Sequence, residues 1–573
     1  MAALMPLMAM AQSMNVSLDS VGTLAKELPD SIRFKVAELK ITGPMNGADL
    51  RLLNQIATRT KTNKKVAGEC LLTAIDLSEA VITEGKEGMK TENNVLPGSL
   101  FANAKSLVKV ILPQNIVSIG RNCFDNCSGL KEVVIPDSVV TIGSNAFSDC
   151  PNLAAVTLPN TLTKIENDAF EQCTSLTAIE IPENVIEMGT NVFTGCKALT
   201  KVVIHSNYVT AIGTATFMGC ESLSEISVPE SVKSVGNNAF RDCKSLTSIT
   251  FGDELDLIGN SAFEDCISLT TIGINKVAKI GSNAFEDCTS LNAVEVEDLK
   301  AIGNGAFLKC KNLKTASLQG TYDKIGNNTF ADCNTLEDVS LSGSVKEIED
   351  NAFINCRSMK TIELPSSLKE IEDHVFENCT SLKRIVIPSN VKSMGSSVFE
   401  ECTELDSVEI KGFIDEIGNE AFCHCRNLRG ITIPVSVKKI GSKAFEGCAS
   451  LTAVTLPITL LSIGNDAFAQ CSTLGSIIVP AAVKEIGSDA FKECSSLSTA
   501  ELSVSLKNIG GGAFAKCVSL REVTMNAPLP PKMSKSTFKD VVLGACRFYI
   551  PKGCKPMYTQ DKQWQKIPQL IER

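Results

Sequence analysis

The chain has 573 residues, 44% of them hydrophobic and 21% charged, with a formal net charge of −10. That much apolar material can build a core, which excludes wholesale disorder. The negative charge is spread thinly and there is no basic block, so neither nucleic acid nor an anionic membrane surface is indicated as a partner.

The opening residues, "MAALMPLMAMAQSMN", form a short apolar run ending in Ala-Met-Ala before Gln12. The run resembles the apolar core and small-residue cleavage site of a secretory signal peptide, although the basic leading segment is missing. Residues 1–13 are read as a truncated signal peptide. No later stretch reaches the ~18 unbroken apolar residues of a membrane span. The first cysteine is Cys70, so no lipid-anchor cysteine follows the cleavage point.

Residues 14–95 are expected to form an N-terminal cap. "VAELKITG" alternates like a strand. "NGADLRLLNQIATRT" follows an Asn-Gly turn and puts Leu50, Leu53 and Ile56 on one helical stripe. "LLTAIDLSEAVI" reads as strand again.

A repeat then takes over. The motif Phe-x-x-Cys occurs eighteen times in register, from Phe124 to Phe514, and a degenerate copy begins at Phe101, where Ala104 replaces the cysteine. The step is 23 residues, except for one of 24 (Phe193 to Phe217) and two of 22 (Phe263 to Phe285 to Phe307). Such a period with ordered leucines lies in the range of leucine-rich repeats.

One unit reads "CASLTAVTLPITLLSIGNDAF" from Cys448. Val454-Thr455-Leu456 alternates with period two and Pro457 ends it, so it is a short strand. Leu460 and Ile463 point inward, Gly464 supplies a turn, and "NDAF" is a helical turn that carries Phe468 inward. One unit cannot bury its own edge, but stacked units can. The pattern predicts a leucine-rich-repeat solenoid of the α/β repeat class over residues 96–525. It is expected to be one continuous right-handed stack of about 19 coils, mostly short parallel strands and turns.

Residues 526–573 are expected to form the C-terminal cap, with "CRFYIPKGC" a strand. "KPMYTQDKQWQKIPQLIER" is expected to be an amphipathic helix carrying Met557, Trp564 and Ile567 on one face.

The unit "IGxxAFxxCxSLxxVxLPxxLxx" resembles the BspA-type leucine-rich repeat of bacterial surface proteins. The stretches "LKITGPMNGADLRLL", "LTAIDLSEAVI" and "FYIPKGCKPMYTQDKQWQKI" look like the Bacteroidetes members of that family. The resemblance implies a secreted or cell-surface location, on the outer-membrane exterior of a Bacteroidetes-like bacterium. It also implies adhesion to a protein ligand of the extracellular matrix, a host cell or another bacterium. It assigns no residues, because the motif letters are scaffold. An alternative reading is a glycan-handling accessory or a structural envelope protein that uses the solenoid as a spacer.

Chemistry was sought in the leftover residues. "CFDNC" and "CHC" are each one repeat cysteine plus one stray, and a buried small apolar side chain explains them better than a metal site. Adjacent ladder thiols have parallel Cβ vectors about 4.8 Å apart, beyond disulfide range, so free thiols are expected. A bridge between Cys546 and Cys554 is left open. His205, His374 and His424 fall in three different coils and read as solvated edge residues. No catalytic, cofactor-binding or metal-binding residues are assigned, and the chain is read as a non-enzyme.

For ligand binding, the exposed central strand position, from Val134 to Thr524, holds no aromatic and no arginine. The irregular coils are more distinctive. The 24-residue step inserts a residue at "HSNYVT", which places Tyr208 in an exposed loop near His205. These two are the candidate ligand-binding residues, on a surface spanning residues 197–345. Neutral drift in a tolerant repeat explains the same irregularity.

Overall fold

The computed structural model describes residues 12–58 and 72–573. Residues 1–11 of the expected signal segment 1–13, and Cys70, lie outside them. The chain divides into two compact units, one ending at Ile274 and the other spanning Asn275–Arg573.

The first unit opens with the strand Gln12–Ser17, which pairs in parallel with Val36–Met45. That strand pairs with Ala74–Asp76, and the ladder continues through Lys109–Ile111 to Glu132–Val134. The helix Gly47–Ala57 closes this end, with Leu50, Leu53 and Ile56 buried as its stripe requires. Its start is held by a capping box between Asn46 and Asp49. The Asp49 carboxylate is 2% exposed and also accepts from Gly22 N–H (2.7 Å) and Leu24 N–H (3.0 Å). One side chain thus ties three backbone segments together.

A regular coil shows how the repeat works. Ala453–Thr455 pairs in parallel with Gly430–Thr432, and Ser462–Ile463 with Lys439–Ile440. Both offsets equal the repeat step of 23 residues, so each coil carries a main strand and a second two-residue strand. In two coils that lack the strand-ending proline the strand runs on, Ala293–Leu299 to seven residues and Thr315–Gly320 to six, whereas Ser248–Thr250 and Thr271–Gly273, also without it, stay at three. Without proline, nothing removes the donor that would continue the ladder.

The segment around each phenylalanine is not the helical turn expected from the sequence. The residues two before and two after the ring, such as Asp466 and Gln470 around Phe468, have left-handed φ values of 52° and 62°. Alternate N–H groups then point along the stack and within the coil. Asp466, Phe468 and Gln470 donate to Ser488, Ala490 and Lys492 of the next coil, while Ala469 and Cys471 donate to Asp466 and Phe468 of their own. A helical turn would direct all of these inward. The stack needs half of them as bridges, because buried backbone groups must be paired.

This geometry stacks the phenylalanines. In the first unit, Phe101 through Phe263 form a column with ring centroids 5.1–5.6 Å apart. In the second, the column from Phe285 has spacings of 5.1–5.5 Å and runs past Phe514 to Phe538, one ring beyond the recognised motif. The motif is hidden there because Val541 stands where the cysteine would be.

All eighteen ladder cysteines are buried and free. Their thiols have a shared task. Cys471 Sγ–H donates to the Phe445 carbonyl of the preceding coil at 3.2 Å, and Cys448 to Phe422 at 3.2 Å. Most of these Phe carbonyls also accept the N–H of their own coil's cysteine, as Phe468 does from Cys471. Cysteine suits the position because it is small, apolar and still a weak donor.

Gly464 does not serve by a left-handed turn. A Cβ there would lie 2.6 Å from the Gly441 carbonyl carbon and 2.6 Å from Ser442 N, so the glycine allows close stacking. Glu166 and Glu349 replace glycine in their coils, and their carboxylates accept from Ser144 N–H (3.0 Å) and Asn327 N–H (3.1 Å) of the coil before.

The C-terminal end is closed by rings rather than by the expected long helix. Only Lys555–Gln560 is α-helical, followed by a 3-10 turn at Trp564–Lys566 and the strand Leu570–Glu572. Asp561 Oδ1 accepts from the N–H groups of Gln563 (2.8 Å) and Trp564 (3.1 Å), which starts a new turn instead of continuing the old one. Pro568 then disfavours helix at Ile567. Met557 is 38% exposed, whereas Trp564 is buried and donates Nε1–H to the Pro531 carbonyl at 2.8 Å. Cys546 and Cys554 are both free. No helix among the described residues is long and apolar enough to cross a membrane.

Candidate functional site: an open strand face

Strand alternation decides what the sheet shows to solvent. In Arg547–Ile550, Phe548 turns inward and meets Phe538 edge-on at 5.2 Å and Trp564 at 6.4 Å. Tyr549 therefore faces outward. Its register partner is Thr524, which pairs in turn with Glu501, and Glu501 with Ile478. On the other side Tyr549 pairs with Ile571.

The exposed column thus gains a tyrosine one strand beyond the point where the motif ends. Arg573 lies over it, with its guanidinium carbon 5.6 Å from the ring centroid. The N–H of Arg573 donates to Ile550 at 3.0 Å, which anchors the backbone beneath that side chain. Asn526 Nδ2 donates to Glu501 Oε1 at 3.0 Å. Together these residues line an open depression of about 630 Å³, with Ile478 (65% exposed) at its apolar side. Tyrosine and arginine are residue types enriched where protein partners bind most strongly. The signal for Tyr549 was present in "CRFYIPKGC". Continuing the in/out alternation through that strand would have found it.

The two sequence-assigned residues lie in the first unit, and His205, unlike Tyr208, lines a depression there. His205 Nε2 is 3.5 Å from Glu180 Oε2, and both line a second depression of about 600 Å³ on the strand face. Tyr208 is 65% exposed on the following loop, outside that lining, with its N–H held by Ser206 Oγ at 3.1 Å. The other two histidines occupy left-handed turn positions: His374 two residues before Phe376 and His424 two after Phe422, each at φ 58°. His374 Nδ1 lies 2.6 Å from Glu377 Oε2, a pairing that sequence spacing did not bring out.

The family model for the BspA-type leucine rich repeat region matches residues 94–223, 210–337, 300–429 and 415–543. The chain belongs to the BspA-type leucine-rich-repeat family. Similar solved structures include leucine-rich repeat proteins from several bacteria. One is a leucine-rich repeat protein from Bacteroides ovatus ATCC 8483, 24% identical, covering 83% of this chain and 91% of that one with a TM-score of 0.29. Another is a leucine rich cell surface protein from Faecalibacterium prausnitzii A2-165, 27% identical, covering 59% and 88% with a TM-score of 0.35. The pneumococcal vaccine antigen PcpA is 17% identical, covering 69% and 89% with a TM-score of 0.33. No curated protein matches the chain significantly. As a BspA-type repeat protein, the chain is a scaffold of a kind suited to protein interaction.

Proposed function

We propose that this BspA-type protein is a secreted or surface-displayed, adhesin-like binding protein without enzymatic activity, which recognises a host or bacterial protein through its strand face. The observation that carries this reading is the outward Tyr549 with Arg573 over its ring, beside Ile478 in an open depression of about 630 Å³. A ring held by a cation and an adjoining apolar side chain give a partner a large contact area at low entropic cost. His205 and Tyr208 are a second proposed contact in the first unit, where the depression beside Glu180 offers a polar counterpart.

The test is binding of the full chain to a matrix-protein panel and, in parallel, to a glycan array. Tyr549→Ala and Arg573→Ala should each weaken protein binding by about 2 kcal/mol, roughly thirtyfold, with the circular-dichroism spectrum unchanged. Binding to glycans alone would favour the glycan-handling reading. Protein binding that neither variant weakens would move the site away from this face.

A further inference from the structure

His374 stands in a cluster that the binding function does not use. One ligand atom each of His374, Glu377 and Glu400 lie within 4.8 Å of one another. The repeat explains the arrangement. Glu377 and Glu400 each follow a column phenylalanine directly, so stacking sets one above the other. His374 holds the left-handed turn position at the start of the first of these coils.

The same position in the next two coils is taken by Cys423 and Glu446. Cys423 is the stray cysteine of "CHC". It is 3% exposed, and its thiol has no hydrogen-bond partner among the described residues, whereas the neighbouring ladder thiol of Cys425 donates to the Phe399 carbonyl at 3.1 Å. Glu400 is half-buried and has no salt-bridge partner among the described residues. The nearby Lys443 ammonium is already paired with Glu420 at 2.9 Å.

We propose that His374 Nδ1 and the carboxylates of Glu377 and Glu400 form a site for a divalent cation of the zinc class, with the Cys423 thiol one coil further along as a fourth donor. An imidazole nitrogen, carboxylate oxygens and a thiol form a donor set that such ions accept. Calcium and magnesium prefer all-oxygen sites. The cation would take the place of the proton shared by His374 and Glu377, leaving the imidazole proton on Nε2.

Substitutions that neighbouring coils already use can test the site without disturbing the fold. His374→Asn copies Asn351, which holds the same position in the preceding coil at φ 59°. Cys423→Ala copies Ala469, 2% exposed at the same register. The metal-free, reduced full chain is titrated with Zn²⁺ by calorimetry and with Co²⁺ by absorption, and folding is checked by circular dichroism. One Zn²⁺ per chain is expected. His374→Asn and Glu400→Gln should each weaken it roughly ten- to hundredfold. Cys423→Ala should remove a thiolate-to-cobalt band present in the parent. No stoichiometric Zn²⁺ binding, or binding unaffected by His374→Asn and Glu400→Gln, would reduce the cluster to a His374–Glu377 ion pair and overturn the proposal. A cobalt complex without the thiolate band would remove Cys423 from the site.

Discussion

Close approach of coils is set by single atoms. Around Gly464 the backbone of the preceding coil is 2.6 Å from where a Cβ would stand. Gly464→Ala must therefore push two coils apart, at a cost of about 1–3 kcal/mol. Where glutamate replaces glycine, the displacement is compensated by a carboxylate-to-amide hydrogen bond, as at Glu166, and alanine has none to offer. Gly475 is the control. A Cβ there meets nothing within 4 Å, so Gly475→Ala should be neutral, or stabilising by up to about 1 kcal/mol through the unfolded chain. Denaturant titration of the two variants checks both signs together.

At the level of the element, the N-terminal helix depends on a carboxylate that serves more than its own cap. Asp49 accepts N–H groups from Gly22, Leu24 and Asn46. Asp49→Ala should leave buried donors unpaired and cost about 2–3 kcal/mol or more, whereas Asn46→Ala should cost nearer 1 kcal/mol. Loss of amide protection in the strand Val36–Met45, measured by hydrogen exchange, would report the difference. This helix was readable from its sequence because Leu50, Leu53 and Ile56 repeat at helical spacing. The turn at the phenylalanine was not. Its Asn and Asp residues, as in "SNAFEDC", carry the left-handed signature at Asn283 and Asp287. Elsewhere histidine, lysine or glutamate fills the same positions and hides the pattern. The C-terminal segment was misread because apolar spacing at Met557, Trp564 and Ile567 looks helical, while the side chain of Asp561 and Pro568 override it locally. Of the candidate site, the strand was readable but its outward residue was overlooked, because the repeat motif had already ended.

Across the whole molecule, the thiols set the alkaline limit. Burial holds the thiols of Cys173, Cys243, Cys356 and Cys471 well above the ordinary range. Folded thiols stay protonated while those of the unfolded chain ionise near their ordinary value of about 8.5. Stability is therefore fully present below that pH and lost as pH rises, by about 1.4 kcal/mol per pH unit for each such thiol. Thermal unfolding in reductant should show a flat melting temperature up to about pH 8 and a steep fall by about pH 10.

If the chain is exported as proposed, the row of thiol-to-carbonyl hydrogen bonds would also bear on its folding in an oxidising compartment. Inside the stack the thiols are enclosed and outside any disulfide, and those such as Cys448 and Cys471 face a carbonyl of the preceding coil. In a nascent chain the same thiols would be near-identical, solvent-exposed and free to cross-link in many combinations, none of which the folded stack contains. Maturation is then a race between coil stacking and sulfur oxidation. In such a compartment, a helper that delays folding would endanger the chain unless it also shielded the sulfurs.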